Sequence, residues 1–285
     1  AAGVVPAAVV TLATCREGFM QHGLADMSAL PPCTSAGVNG AEGACTNSLV
    51  AALRERSDHT WASLMERLRQ LSGRRGRVPV LGSSRPMETR PAFSAVSGAP
   101  HGRHRALFIG INYFNTKSEL HGCHSDVRAL RQHLEPLGFS GAEVRMLLDD
   151  GASSEPSRAN IIRGFQWLSE GAQLGDSLFL HFSGHGESIR DDDWNEEDGT
   201  DEAFCPSDYE TAGLICDDET FKYLVAPLPE GVLLTCVIDC WHGGTILELP
   251  YVLKASERQE VNTLQVVQPN ANFDFGKLSR LQREN

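Results

Sequence analysis

The chain has 285 residues, of which 41% are hydrophobic and 22% are charged, and its formal net charge is −12. These values describe a globular protein with room for a sizeable core, and they exclude a disordered or fibrous chain. The acidic balance and the lack of an apolar run of roughly 20 residues lead us to expect no nucleic-acid partner and no membrane partner.

The first portion of the chain is predicted to hold two strands and two helices. A short strand at 8–14 precedes a loop rich in small residues, and a second strand opens at 78–81. Apolar residues at helical spacing predict helices near 45–56 and 59–72, between the two strands. Residues 82–104 are rich in Ser, Pro, Gly and Arg, a composition that indicates a boundary.

The second portion is predicted to alternate strands with helices. Strands are predicted at 106–111, at 144–148 and in the apolar runs that begin at Ser177 and Val232. Helices are predicted at 124–137, 158–170 and 219–228, with Ser125 and Ser157 as candidate N-caps of the first two. The tail at 252–285 is polar and only weakly patterned. The alternation predicts an α/β fold, with a central, mostly parallel sheet flanked by helices on both faces.

Two of the apolar runs end in reactive side chains next to glycines. One ends in HFSGHG (181–186) and the other in DCWHGG (239–244). Reactive groups of an α/β sheet collect at the carboxyl ends of neighbouring strands, so the two segments predict a Cys/His pair at one edge. A thiolate nucleophile needs a nearby base and donors for an oxyanion, and flanking glycines permit close backbone approach. A separation of roughly 50 residues between the His and Cys segments is also that of caspases.

These segments resemble the catalytic His and catalytic Cys segments of the metacaspases. Two further segments carry the resemblance: ALFIGINY (106–113), like the family's first strand, and LHGCHSDV (120–127) after it. Together they cover about 104–252, the large catalytic subunit of the family. Residues 8–98 resemble the small subunit through GACTNS (43–48) and GSSRP (82–86).

In most of the family the small subunit follows the large one, and the reversed order found here is similar to the type III metacaspases of algae. We therefore divide the chain into a small-subunit-like region at 1–98, a linker at 99–104 and a large catalytic-subunit-like region at 105–285.

The resemblance implies a caspase-like fold and a calcium-dependent cysteine endopeptidase that cleaves after Arg or Lys. His185 matches the catalytic histidine, and the amide of Gly186 matches an oxyanion donor. Four residues match the acidic pocket that receives the basic side chain of the substrate: Cys123, Asp126, Ser183 and Asp239. Buried carboxylates pair well with a guanidinium group. Asp126 alone fits equally well an acid that stabilises the first turn of a helix.

The resemblance also implies calcium ligands at Asp201, Asp217, Asp218 and Glu248. Oxygen ligands from separate loops suit Ca²⁺, which tolerates irregular geometry. The acidic segment 191–202 does not fit an EF-hand loop, and a solvated loop explains most of its acids. A helix cap is the alternative for Asp217 and Asp218.

Trp241 occupies the position at which metacaspases have the nucleophilic Cys, directly before a His. An indole cannot attack a carbonyl. Cys240 is one residue early, and because successive strand side chains point to opposite faces, we expect it to point into packing rather than to replace the nucleophile. The chain is therefore predicted to be inactive, either through an inactivating substitution in a protease or as a natural pseudoenzyme that binds without cutting.

The remaining expectations concern partners and location. Peptide or protein substrates with Arg or Lys at the cleavage site are the expected partners, and we expect a monomer. The eight cysteines include no C-x-x-C pair, which favours reduced thiols and a cytoplasmic location.

Overall fold

The computed structural model describes residues 5–16, 44–72, 77–87, 89–93, 102–190, 200–240, 246–247, 249–254 and 268–269. The strands are β1 (Ala8–Arg16), β2 (Arg77–Ser83), β3 (His104–Gly110), β4 (Val144–Leu148), β5 (Ser177–Ser183), β6 (Gly186–Arg190), β7 (Thr200–Phe204), β8 (Ile215–Cys216), β9 (Leu233–Asp239), β10 (Tyr251–Lys254) and β11 (Gln268–Pro269). The α-helices are α1 (Ala44–Glu55), α2 (Trp61–Ser72), α3 (Cys123–Leu134), α4 (Arg158–Ser169), α5 (Tyr209–Ala212) and α6 (Asp217–Thr220).

Eight strands form one sheet in the order β11-β10-β2-β1-β9-β5-β3-β4. The five strands from β1 to β4 in this order are parallel to one another, whereas β2 is antiparallel to both β1 and β10. Helices α1, α2 and α3 pack against one face of the sheet, and α4 and the segment after α6 pack against the other. The predicted architecture, a mostly parallel sheet flanked by helices on both faces, is confirmed.

Strand β9 lies near the centre of the sheet and joins the two portions of the chain. It pairs with β5 from Ser177↔Leu233 to Ser183↔Asp239, and with β1 from Ala8↔Leu233 to Ala13↔Ile238. Its side chains alternate between the two apolar clusters, so that Cys236 and Ile238 pack on the α4 face and Val237 on the α1 face. The N-terminal strands thus complete the same sheet, while the boundaries at 98 and 104 stay a prediction.

Of the two N-caps predicted for helices of the second portion, the structure confirms the one for α4 and not the one for α3. Ser157 caps α4, because its side chain accepts a hydrogen bond from the amide of Asn160. Ser125 was the wrong cap for α3: the helix begins at Cys123 and Gly122 is its N-cap, with no side-chain capping bond. Ser125 is instead an exposed residue inside the first turn.

The helix predicted at 219–228 was wrong in both extent and type. α6 begins at Asp217, and the chain continues as a single π-helical turn over Phe221–Val225. The buried residues Phe221, Leu224 and Val225 keep an apolar face toward the sheet, and such a face does not distinguish an α-helix from a π-turn. No helix of the described ranges is long and apolar enough to cross a membrane.

A second, three-stranded sheet of order β6-β7-β8 was not predicted. Its strands are short, and one of them begins at Thr200, inside the acidic segment 191–202. β10 likewise lies in the tail that shows little pattern. Strands this short carry too few alternating residues to stand out from loops.

Candidate active site

Three parallel strands end in register at one edge of the main sheet. Gly110 at the end of β3 is the partner of Ser183 at the end of β5, which in turn is the partner of Asp239 at the end of β9. Position 110 has no space for a side chain, because a Cβ atom there would lie 2.8 Å from Val127 Cγ2 and 2.9 Å from the carbonyl oxygen of Cys123. The glycine therefore lets the start of α3 approach this edge.

His185 lies two residues beyond the end of β5 and is buried. Its Nε2 lies 2.8 Å from the carbonyl oxygen of Ser118. Burial lowers the pKa of His185, although the bond to Ser118 acts in the opposite direction. The imidazole is therefore neutral at neutral pH, and the carbonyl assigns its proton to Nε2. Nδ1 then carries the lone pair that can accept a proton.

Tyr113 holds the segment around His185. Its hydroxyl accepts a hydrogen bond from the amide of His185 at 3.0 Å and donates one to the carbonyl oxygen of Cys205 at 2.6 Å. The two rings lie 4.8 Å apart. Burial raises the pKa of Tyr113 well above its ordinary value, so the hydroxyl keeps the proton that it donates. Tyr113 itself has a φ of 52°, an uncommon conformation for a residue other than glycine.

Asp149 stabilises that backbone conformation from the end of β4. It accepts hydrogen bonds from the amides of Asn112 and Tyr113, at 2.9 and 2.7 Å, and contacts Nε2 of His124 at 2.6 Å. Burial by itself would raise the pKa of Asp149, but the hydrogen bonds from His124 and the two amides outweigh it and lower the pKa. Asp149 is thus an anion that binds the loop after β3.

Two buried carboxylates lie at the same edge. Asp126 is 2% exposed and accepts a hydrogen bond from the hydroxyl of Ser183 at 2.9 Å. Asp239 is 8% exposed and accepts bonds from both the amide and the hydroxyl of Thr46, at 2.9 and 3.0 Å. Because Asp126 lies in the first turn of α3 and Thr46 in the first turn of α1, positive helix ends face both acids.

All four residues predicted for the acidic pocket therefore lie at one edge of the sheet. Cys123 is buried, and its amide donates to Asn112 Oδ1 at 3.1 Å. The two interpretations of Asp126 do not exclude each other, since it is both a first-turn acid of α3 and a neighbour of Ser183. Their role in substrate binding stays a prediction.

His181 lies on β5 two residues before Ser183, on the same face of the main sheet. It is fully buried, and Nδ1 lies 3.0 Å from the carbonyl oxygen of Val237. Burial lowers the pKa of His181 to about 4, although Asp239 acts in the opposite direction. The imidazole is therefore neutral at neutral pH and adds no positive charge at this edge of the sheet.

Cys240 is 6% exposed and packs in the apolar cluster on the α4 face, with Ile238. Asp239, in contrast, turns toward α1. Cys240 thus lies in packing, and its exclusion as a substitute for the nucleophile stays a prediction. Trp241 lies outside the described residues; in sequence it follows the end of β9 by two residues, as His185 follows the end of β5. Gly186 begins β6 opposite Phe204, and its role as an oxyanion donor stays a prediction.

The predicted calcium ligands are only partly described. Asp217 is buried, and both Asp217 and Asp218 belong to the first turn of α6 rather than to its cap, which is Cys216. The side chain of Asp201 and the whole of Glu248 lie outside the described residues. Within the described part of the chain, no group of three or more His, Cys, Asp and Glu side chains is close enough to hold a metal ion.

Sequence reasoning missed four residues that organise this site: Thr46, Tyr113, Ser118 and Asp149. A signal was present for Tyr113, which ends a segment that resembles the family's first strand. Ser118 acts through its main-chain carbonyl, and Thr46 lies 193 residues from its partner. Neither property is visible in a local pattern.

Glu187 is a further buried acid next to this site. It is 7% exposed, one of its oxygens has no hydrogen-bond partner in the described part of the chain, and burial raises its pKa from 4.5 to about 7. The folded protein therefore binds this proton more tightly than the unfolded chain. The resulting stabilisation is complete below pH 4.5 and is lost as the pH rises through 7.

We therefore expect Glu187→Gln to raise the free energy of unfolding by about 2–3 kcal/mol at pH 8 and by less than about 1 kcal/mol at pH 5. Urea denaturation at both pH values, with a chelator present, measures this difference. Glu170→Gln, at an exposed site, is the control and should have no such pH dependence. An effect of Glu187→Gln that is equal at both pH values would contradict the prediction.

Comparison with known proteins identifies relatives of this chain. Residues 104–250 match the family described as "Metacaspase, peptidase C14 domain". The chain is 39% identical over 250 residues to Metacaspase III c of Phaeodactylum tricornutum (strain CCAP 1055/1), a match that covers 84% of this chain and 72% of that protein.

Two further relatives match a smaller part. The chain is 45% identical over 154 residues to Metacaspase-1A of Neurospora crassa, covering 53% of this chain and 34% of that protein. It is 43% identical over 187 residues to Metacaspase-1 of Pyricularia oryzae, covering 61% of this chain and 47% of that protein. The chain therefore spans less than half the length of these two relatives.

Proposed function

Because the chain belongs to the metacaspase family, we propose that it is built as a cysteine endopeptidase that cleaves after Arg or Lys and depends on Ca²⁺. Membership in this family supports the general activity, that of a cysteine peptidase with a caspase-like fold. The observation that carries the substrate preference is the pair of buried carboxylates, Asp126 and Asp239, beside His185 at one sheet edge. We propose further that the chain in its present form does not turn over substrate, because Trp241 stands in the place of the thiol.

The described residues support specific tasks in such a reaction. A guanidinium or ammonium group that entered the pocket would pair with Asp126 and Asp239, whose charges His181 does not offset. Neutral His185, with its proton on Nε2 held by the carbonyl of Ser118, presents Nδ1 to accept a proton from a nucleophile and return it to the leaving amine. Tyr113 and Asp149 position His185 and act through it.

We also propose the type III order of subunits for this chain. The match to Metacaspase III c covers 84% of the chain, which is more than the part from residue 104 to the end, so it includes residues before 104. β1 and β2, from that earlier part, complete the main sheet beside β9. Both facts support an N-terminal region that serves as the small subunit.

Three of the proposed calcium ligands belong to neighbouring segments of the second sheet: Asp201 to β7, and Asp217 and Asp218 to α6, which follows β8 directly. β7 and β8 pair as Ala203↔Cys216 and Phe204↔Ile215, and Asp201 lies two residues before Ala203 on β7. Asp217 follows directly after β8, and its carboxylate is buried. Carboxylate oxygens of this kind suit Ca²⁺. A bound Ca²⁺ would supply positive charge that holds these acids together, and it takes no part in the chemistry assigned to His185.

Calcium binding can be tested without any peptidase activity. We expect CaCl₂, at about 100 times its dissociation constant, to raise the free energy of unfolding of the chain by about 2.7 kcal/mol, measured by calorimetry. Asp217→Asn should abolish this effect. Asp58→Asn, in the exposed connection between α1 and α2, should leave it intact. An unchanged midpoint of unfolding at millimolar Ca²⁺ would contradict the calcium proposal and leave the peptidase proposal to its own test.

A second candidate function is a binding regulator that captures basic peptides without cutting them. The observation that favours it is Trp241 itself, since every other group needed for recognition remains. Restoration of the thiol separates the two functions, because only a peptidase gains turnover from it.

A further inference from the structure

A surface groove lies at the end of the main sheet opposite to the candidate active site. It has a volume of about 840 Å³ and is formed by the second half of α4, the turn after it, β4 and the segment after α6. We propose that this groove docks an acidic peptide segment of a partner protein. The groove uses none of the residues assigned to the candidate active site, so the proposal does not depend on peptidase activity.

Three cations line the groove: Arg145, Arg163 and Lys222. Within the described part of the chain none of the three has a carboxylate at ion-pair distance, and Arg163 binds the side-chain oxygen of Asn160 instead. One acid, Glu170, lines the groove with them. A local excess of positive charge on a chain of net charge −12 marks a site for an anionic group.

Trp167 holds one of the three cations, Arg145, in place. The guanidinium carbon of Arg145 lies 4.1 Å from the centre of the Trp167 ring, and that of Arg105 lies 4.9 Å from it. Arg105 is neutralised by Glu143 at 2.6 Å and donates to the carbonyl oxygens of Trp167 and Glu170. Cation–π contacts of this kind fix the planar guanidinium group, so Arg145 loses little freedom when it binds a carboxylate.

The shape of the groove favours a peptide over a small molecule or a nucleic acid. Arg163, Gln166, Pro227 and Pro229 are exposed, so the groove is a shallow surface site, whereas a small-molecule site encloses most of its ligand. Three cations cannot neutralise an extended phosphate backbone on an otherwise acidic protein. Clusters of arginine are a known means of recognising acidic peptide motifs.

The position of the groove keeps it separate from substrate cleavage. Its residues lie near the amino ends of β4, β5 and β9, whereas His185 and Asp239 lie at the carboxyl ends. The length of β5, seven residues, sets the two sites about 20 Å apart. A protein bound in the groove would therefore leave the active-site edge accessible.

The proposal is tested with the full chain and a fluorescein-labelled octapeptide of Asp and Glu with one central Phe. Fluorescence anisotropy is expected to show saturable binding that weakens as salt increases. Arg145→Glu and Arg163→Glu should each weaken binding roughly tenfold or more, and Arg145→Gln, which removes charge without reversing it, by a smaller factor. Arg54→Glu, at an exposed arginine of α1, should leave binding unchanged, and thermal midpoints verify that the variants are folded.

The same peptide with Asn and Gln in place of its acids is expected not to bind. Equal binding of this neutral peptide, or binding unaffected by both Arg145→Glu and Arg163→Glu, would overturn the proposal. An RNA octamer that competes as well as the acidic peptide would also overturn it, because the groove would then be a general polyanion surface.

Discussion

Replacement of Trp241 by Cys is expected to turn a chain without measurable turnover into a peptidase that cleaves after Arg. In enzymes whose nucleophile and base act together, loss of the nucleophile lowers kcat by about 10⁶-fold. We therefore expect that restoring it raises turnover by at least about 10³-fold over the parent chain. The physical reason is that the other proposed groups are already in place: His185 is neutral and fixed by Ser118, and Asp126 and Asp239 are buried at the same edge of the sheet. Hydrolysis of a fluorogenic Arg peptide in the presence of Ca²⁺ measures the gain.

Three controls make the result specific. Trp241→Ala removes the bulk of the indole without a thiol and should stay inactive. His185→Ala in the Trp241→Cys chain should remove most of the gain, whereas Cys240→Ala should not, since Cys240 is packed in the core. A folded Trp241→Cys chain without turnover would refute the peptidase proposal and favour the binding regulator.

Asp126→Asn, made in the Trp241→Cys chain, is expected to lower kcat/KM for an Arg substrate by about 10²–10³-fold. Removal of one partner from a buried charge pair costs about 3–5 kcal/mol, and because Asp239 remains as a second counter-charge, we expect a loss at the lower end of this range. Asn has nearly the same shape and can still accept the hydrogen bond of Ser183. Steady-state kinetics on peptides with Arg and with norleucine at the cleavage site measure the effect.

The norleucine peptide distinguishes recognition from structure. A carboxylate that binds the substrate's cation should affect the Arg peptide and leave the norleucine peptide nearly unchanged. Ser183→Ala is the matched control, since it removes the neighbour of Asp126 but keeps the charge, and its effect should be several-fold smaller. Equal losses for both peptides would show that Asp126 only supports the fold.

Much of the sheet could be predicted because its central strands are buried on both faces. Continuous apolar runs at 106–111, and from Ser177 and Val232, correspond to β3, β5 and β9. Strands of this kind leave a strong pattern, and parallel pairing then brings their carboxyl ends to one edge. The rule predicts that the two segments that resemble the family's catalytic segments lie close together, and the register Ser183↔Asp239 agrees with it.

The prediction failed where local pattern carries little information. The π-turn after α6 and the short strands of the second sheet have the same apolar residues that a helix or a loop would have. Ser125 has the residue type of a cap, yet α3 begins two residues earlier, at Cys123, where its first turn packs closely against Gly110. Tertiary packing decides such cases because it outweighs the small energies of local preference.

The sequence by itself determined which residue types stand at the ends of β5 and β9, including the Trp at position 241. Only the tertiary structure decided how these residues are held. Thr46, from the other portion of the chain, binds Asp239, Ser118 orients His185, and the eight-stranded sheet places β1 beside β9. Hydrogen bonds between residues far apart in the chain depend on the complete packing of helices on the sheet. Such packing leaves no periodic trace in the sequence, whereas burial of a strand on both faces does.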